Sequence, residues 1–148
     1  MDLNASYWFE APAEQVWDLL MDPVAVGNCL PGSRGLHEVA PDRFEVELGL
    51  AIAAIAGSFK GTVALEEKSP PQSYKLAVEG TGRQGFVKGF ARITLEPDGE
   101  RTHVRVAAQA DVGGMIARVG QRLLEGVART TMDRFYGCLA NSLSRRSV

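Results

Sequence analysis

Histidine and cysteine are scarce in this chain, with two of each among 148 residues. A Cys/His metal centre takes four ligands in a tight spacing, so none is expected here. No run of carboxylates has the spacing of a calcium loop, and no metal site is expected at all. General acid and base work by histidine would fall to His37 or His103, which lie in presumed strands on opposite sides of a meander, and both read as residues of a solvated face. Cys29 and Cys138 could pair in principle. In a reducing compartment and without a multi-cysteine framework, they read as buried thiols. No catalytic residues stand out.

Long apolar runs are also missing. None approaches the roughly 20 residues that a membrane-spanning helix requires. The opening Met-Asp-Leu-Asn-Ala has neither a basic segment nor an apolar core of signal-peptide type, so the expected location is the cytoplasm. The first 31 residues contain Asp2, Glu10, Glu14, Asp18 and Asp22 and neither Lys nor Arg, whereas residues 115–148 carry six arginines against Glu125 and Asp133. The net charge of −2 argues against a nucleic-acid binder. The opposed ends either pack near each other or steer a charged partner.

What is present is a chain with 45% apolar residues, the length of one ordinary domain with one core. Leu3, Ala5, Tyr7 and Phe9 alternate with polar neighbours, the pattern of a half-buried strand in which Trp8 interrupts the polar side. Pro12 at a first helical position with Glu14 behind it, then Asp22-Pro23, predict two short helices, the second ending near Leu30-Pro31-Gly32. From Gly35 to Val112 short alternating stretches are separated by Pro41-Asp42, Ser69-Pro70-Pro71 and Pro97-Asp98-Gly99, the mark of an antiparallel meander with one wet face. Gly80-Thr81-Gly82-Arg83-Gln84-Gly85 has the Gly-x-Gly-x-x-Gly spacing. It lacks a following helix and reads as a hairpin.

Met115 to Leu143 carries an apolar stripe at Ile116, Val119, Leu123, Val127, Thr131, Phe135, Leu139 and Leu143, which predicts one helix of about 43 Å laid across the sheet. Gly120, Gly126 and Gly137 interrupt it, at a cost of up to about 1 kcal/mol each. They serve either a close approach of backbone to the sheet or a thinning of the helix beside a cavity.

One strand, two short helices, a six-strand meander and a long C-terminal helix is the order of the helix-grip, START-like fold. The segments Ala11-Pro12-Ala13-Glu14-Gln15-Val16-Trp17, Asp22-Pro23 and Asn28-Cys29-Leu30-Pro31-Gly32 resemble the opening of the CoxG family of carbon monoxide dehydrogenase accessory proteins. Phe59-Lys60-Gly61-Thr62-Val63, Gly85-Phe86-Val87-Lys88-Gly89, Val112-Gly113-Gly114 and Gly120-Gln121-Arg122-Leu123 continue the likeness over nearly the whole of 1–148. The resemblance implies an α+β fold with a curved antiparallel sheet of about seven strands. It also implies a non-catalytic accessory protein that handles quinone and recruits a molybdenum-containing dehydrogenase to the inner face of the cytoplasmic membrane. Ser33 stands where some relatives have a second cysteine.

Tyr7, Phe44, Leu48, Phe59, Val63, Tyr74, Leu76, Phe86, Phe90, Ile116, Val119, Leu123 and Val127 are the candidate walls of a cavity for a quinone or similar lipophile. The alternative is a solid core. No covalent cofactor is expected. Leu50 to Gly57 is apolar on both parities at what should be a hairpin tip. Ile52 and Ile55 there either touch a bilayer, a partner or a second copy, or pack against the helix. In the first case Arg118 and Arg122 would add attraction to anionic lipid. Besides the ligand carrier, an adaptor without ligand and a cyclase or hydrolase of the same fold are the alternative functions.

Overall fold

The computed structural model describes the backbone of residues 1–30, 32–52 and 55–146, with side chains except at 34, 50–52, 55, 56 and 144–146. Its elements run β1 (Asp2–Phe9), α1 (Ala13–Leu20), α2 (Pro23–Cys29), β2 (Ser33–Ala40), β3 (Arg43–Ile52), β4 (Ile55–Ser69), β5 (Ser73–Gly82), β6 (Gly85–Asp98), β7 (Arg101–Gly113), a 3-10 turn (Met115–Val119) and α3 (Gln121–Arg146). The seven strands form one antiparallel sheet in the order β1-β7-β6-β5-β4-β3-β2. The meander is thus closed at one edge by the first strand, which returns to lie beside the last. This is the START-like α+β architecture.

The proline and aspartate signals act as anticipated, with one shift. Pro12 is the extended residue before α1 rather than its first residue. The Asp22 carboxylate accepts hydrogen bonds from the amides of Val24 and Ala25 at 3.0 and 3.4 Å, which caps α2 with Pro23 at its start. Gly80 to Gly85 spans the β5–β6 hairpin, with Gly82 opposite Gly85.

Strand parity then decides the core. The odd residues of β6, with Ile93 and Leu95 buried, and the even residues of β7, with Val104 and Val106 buried, face the helices. They meet Phe9, Val16, Leu19 and Leu139, and each side chain so removed from water contributes about 1.5–3 kcal/mol. Buried Thr102 donates its hydroxyl hydrogen to the Ala11 carbonyl at 2.8 Å and ties β7 to the turn before α1. A second, smaller cluster of Phe59 and Ile116, flanked by Val112, Val119, Leu124 and Val127, sits toward the other end of the sheet.

Two expectations are corrected. The C-terminal segment is not one rod, because Gly120 adopts φ +98°, a left-handed conformation that ends the 3-10 turn before α3 begins. Nor are the cysteines separate thiols, for Cys29 on α2 and Cys138 on α3 form a disulfide across 109 residues of sequence. The pairing arises because α3 returns over α2, a proximity that linear spacing does not reveal.

Neither reading of the other helix glycines holds. A methyl group at Gly126 or Gly137 would meet no atom within 4 Å, so both face open space. Gly126→Ala and Gly137→Ala should therefore each raise stability by about 0.5–1 kcal/mol in urea or thermal unfolding. Gly120→Ala should lower it by about 1–3 kcal/mol through its left-handed φ.

Candidate functional site

Between the inner face of the sheet, the α1–α2 pair and α3 lies a cavity of about 160 Å³. Leu20, Met21, Pro23, Val26 and Leu30 form its helical side wall. Leu36, Phe44, Val63, Leu65, Tyr74, Leu76 and Val78 form the floor from β2 to β5, and Phe135 and Tyr136 of α3 form the roof. Its side walls are almost wholly apolar. Strand pairing explains the floor, since Phe44 stands opposite Val63, Leu65 opposite Leu76 and Tyr74 opposite Ile93, all on the inward parity.

A ladder of aromatic rings holds the roof in place. Tyr7 of β1 stacks on Tyr136 with centroids 4.6 Å apart and planes inclined by 18°, while Phe9 and Phe135 meet the edges of the same ring. The Tyr7 hydroxyl donates to the Asp133 carboxylate at 2.7 Å, and the Arg129 guanidinium donates to the Asn4 carbonyl at 3.2 Å. Trp17 of α1 meets Tyr74 edge to face at 5.5 Å. Burial is the main cause that pushes the phenol of each of these tyrosines well above its ordinary range. The Asp133 carboxylate adds to it at Tyr7, where Arg129 acts in the opposite direction, and a neighbouring tyrosine adds to it at Tyr74 and Tyr136. At the cavity, Tyr74 and Tyr136 are therefore neutral hydroxyls, able to donate or accept a hydrogen bond but not to act as bases near neutral pH.

The residues expected to surround one cavity divide into three groups. Phe44, Val63, Tyr74 and Leu76 do line it, and Tyr7 backs its roof. Phe59, Ile116, Val119 and Val127 belong instead to the second cluster, and half-buried Leu48 lies on β3 outside the cavity wall. Phe86, Phe90 and Leu123 are misplaced, at 48%, 44% and 38% exposure. Inward Ala91, Ile93 and Leu95 set the parity of β6, so its even residues point to the opposite face, where the Lys75 ammonium lies 4.9 Å over the Phe90 ring. The break at Gly120 resets the helical phase, so Leu124 rather than Leu123 turns inward with Val127.

The helical side wall was missed, although Asp22-Pro23 placed α2 in the chain. Tyr136 was missed as well, and its signal was available in the spacing Met132, Tyr136, Leu139, Leu143. His103 is on the outer face as expected, stacked on Trp8 at 4.3 Å, and His37 is exposed on β2. Arg118 and Arg122 are exposed beside Met115 and Leu123. The contact expected at Ile52 and Ile55 rests on side chains outside the described residues. No group of metal-ligating side chains occurs among the described residues, and no described helix is long and apolar enough to cross a membrane.

A model of the CoxG family, described as the G subunit of carbon monoxide dehydrogenase, matches residues 8–144. The crystal structure of a conserved protein from Geobacillus kaustophilus superposes with a TM-score of 0.95 at 32% identity, over 98% of this chain and 96% of that one. A START superfamily protein from Mycobacterium smegmatis matches with a TM-score of 0.77 at 14% identity, over 97% of each chain. The Zhui aromatase/cyclase from Streptomyces sp. R1128 matches at 0.72 and 16%, over 100% of this chain and 96% of that one. The last two likenesses concern the fold alone. No curated protein matches the chain.

The three tyrosines, the full complement of the chain, set a pH dependence. Each phenol is held above its ordinary value of 10.0 in the folded state. Their contribution to stability is complete below about pH 10 and is lost as pH rises, because the unfolded chain releases protons that the folded chain keeps. An alkaline titration followed by phenolate absorbance should show no ionisation before unfolding, then one steep rise coincident with loss of circular dichroism. A tyrosine ionising with the fold intact would contradict this environment.

Proposed function

Because this chain belongs to the CoxG family of carbon monoxide dehydrogenase, we propose that it is a non-catalytic accessory protein that carries a hydrophobic ligand, a quinone, in the cavity between sheet and α3. In that role it couples a molybdenum-hydroxylase-type dehydrogenase to the inner face of the cytoplasmic membrane. The observation that supports the carrier role is the apolar cavity itself, with Tyr74 and Tyr136 as hydroxyl-bearing walls. A void of about 150 Å³ with apolar walls accepts one benzene-sized ring, so 160 Å³ has room for the six-membered ring of a quinone. The hydroxyls supply hydrogen-bond donors for its carbonyl oxygens. An isoprenoid tail needs space beyond this volume and leaves through a wall.

The membrane side of the proposal rests on the surface around the 3-10 turn. Exposed Met115 and Leu123 flank Arg118 and Arg122 there, an apolar and cationic pairing suited to an interface with anionic lipid.

Purified protein extracted with organic solvent should release a quinone detectable by mass spectrometry. Decylubiquinone at about 100 times its dissociation constant should stabilise the protein by about 2.7 kcal/mol, roughly 5–10 °C for a chain of this size. Val63→Trp, which places an indole in the void, should remove that shift and leave the circular dichroism spectrum unchanged. An empty extract together with no shift would end the carrier role. Retained binding to anionic vesicles in that case would favour an adaptor without ligand.

A further inference from the structure

The cavity has one wall that differs from the others in how it is held. Its side is formed by Val26 of α2, a helix of seven residues, and by Leu30 just after it, and its neighbour Leu36 belongs to β2, an edge strand. α2 rests on β2 closely enough that a methyl group at Gly27 would stand 3.2 Å from the Leu36 amide nitrogen. β2 in turn pairs only with β3, and its register is interrupted between Ser33 and Leu36 and again between Glu38 and Ala40. α2 and β2 thus form a flap on the edge of the sheet whose register is broken twice. α3 buries the large side chains Tyr136, Leu139 and Leu143 in the main core, to which α2 adds only Ala25 and the half-cystine Cys29.

The flap is joined to that fixed helix by one covalent bond. Cys29 is the last residue of α2, directly before Leu30 of the cavity wall. Cys138 lies on α3 about one turn beyond Phe135 and Tyr136 of the roof. The disulfide therefore closes the seam between side wall and roof. A ligand larger than one ring has to part these walls, since drug-sized ligands occupy sites of about 300–1,000 Å³.

We propose that Cys29–Cys138 is a thiol-exchange site acted on by a dithiol reductant, and that its reduction frees the α2–β2 flap to open the cavity. The inference rests on the carrier role above and adds its regulation. Disulfides of cytosolic proteins are usually transient, catalytic or redox-sensing, and the cytoplasm is the compartment that role implies. Cys29 is 6% exposed whereas Cys138 is only partly buried, so the reductant's thiolate attacks Sγ of Cys138. The S–S bond breaks and its electron pair passes to Sγ of Cys29, which takes a proton. The reductant's second thiolate then displaces Sγ of Cys138, which takes the second proton. The chain gains two electrons and two protons, and the dithiol leaves as a disulfide.

The test compares the full chain oxidised, the full chain reduced with dithiothreitol and then freed of it under anaerobic conditions, and Cys29→Ser/Cys138→Ser, by hydrogen exchange and by stopped-flow uptake of decylubiquinone. Opening predicts that amides of α2 and β2 exchange at least ~10-fold faster in the reduced and variant proteins while β6 and β7 stay protected, and that uptake accelerates by a similar factor. Unchanged exchange in α2 and β2 overturns the flap. Faster exchange throughout the sheet also overturns it, by making the disulfide a staple of the whole fold. Equal uptake rates in all forms overturn the gate and leave the carrier intact. Uptake by none of them, with the flap loosened, is the distinct result that fails the carrier role and the gate with it.

Discussion

The seat of α3 on β1 is the constraint on which the cavity depends. A helix laid over a sheet ordinarily settles until side chains fill the space between them, because an empty volume forfeits dispersion contacts on every wall. Here the stack of Tyr7 on Tyr136, the hydrogen bond from Tyr7 to Asp133 and that from Arg129 to Asn4 fix α3 along one edge strand. β1 is paired only with β7, so α3 is anchored above one side of the sheet. The space over β3 to β5 is left for α1 and α2 to cover, and these two short helices do so incompletely. The void is a consequence of where the roof is fastened rather than of small residues along its floor.

That geometry separates the interior into regions with different duties. The cluster around Phe9, Leu19, Ile93, Val104 and Leu139 is densely buried and supplies most of the apolar stabilisation. The Phe59 and Ile116 cluster closes the far end, where the Ile116 amide donates to the Gln84 carbonyl at 2.6 Å and ties the 3-10 turn to the β5–β6 hairpin. The cavity abuts the first of these, which shares Leu20, Tyr74 and Tyr136 with its walls. A large-to-small change at Leu139 would remove contacts from the fold's main core, whereas a small-to-large change at Val63 enters space that no atom occupies. Stability and ligand capacity are therefore separable by position.

Much of the fold was legible in the sequence because two periodicities and a handful of turn residues specify it. Alternation marked the strands of the meander and the inward side of β1, Asp22-Pro23 marked α2, and the proline turns marked the hairpins at Pro41, Ser69 and Pro97. The site was less legible for three physical reasons. Phe86 and Phe90 attract attention as aromatics, yet parity counted back from Ile93 sends them outward, and hydrophobicity is a weaker guide to facing than that count. Leu123 follows from carrying one helical phase through Gly120, where a left-handed backbone breaks the phase. The disulfide and the helical side wall are products of tertiary return, in which residues far apart in sequence become neighbours, and no local pattern encodes that.

The order of closure around the void also bears on how a ligand reaches it. Of the seams that bound the cavity, the floor is continuous strand ladder from β3 to β5, interrupted in register only near the Ser69 turn. Parting it would break several backbone hydrogen bonds at once, each leaving a buried donor and acceptor unsatisfied. The contact of α3 with β1 is an aromatic stack reinforced by hydrogen bonds, and displacing it would expose Tyr136 and uncover the main core. The α2 side has neither a ladder of its own nor a large buried aromatic, since its buried residues are Ala25, Gly27 and Cys29. The least costly non-covalent seam is thus the one that carries the covalent link, so the bond between Cys29 and Cys138 stands where the fold would otherwise yield first.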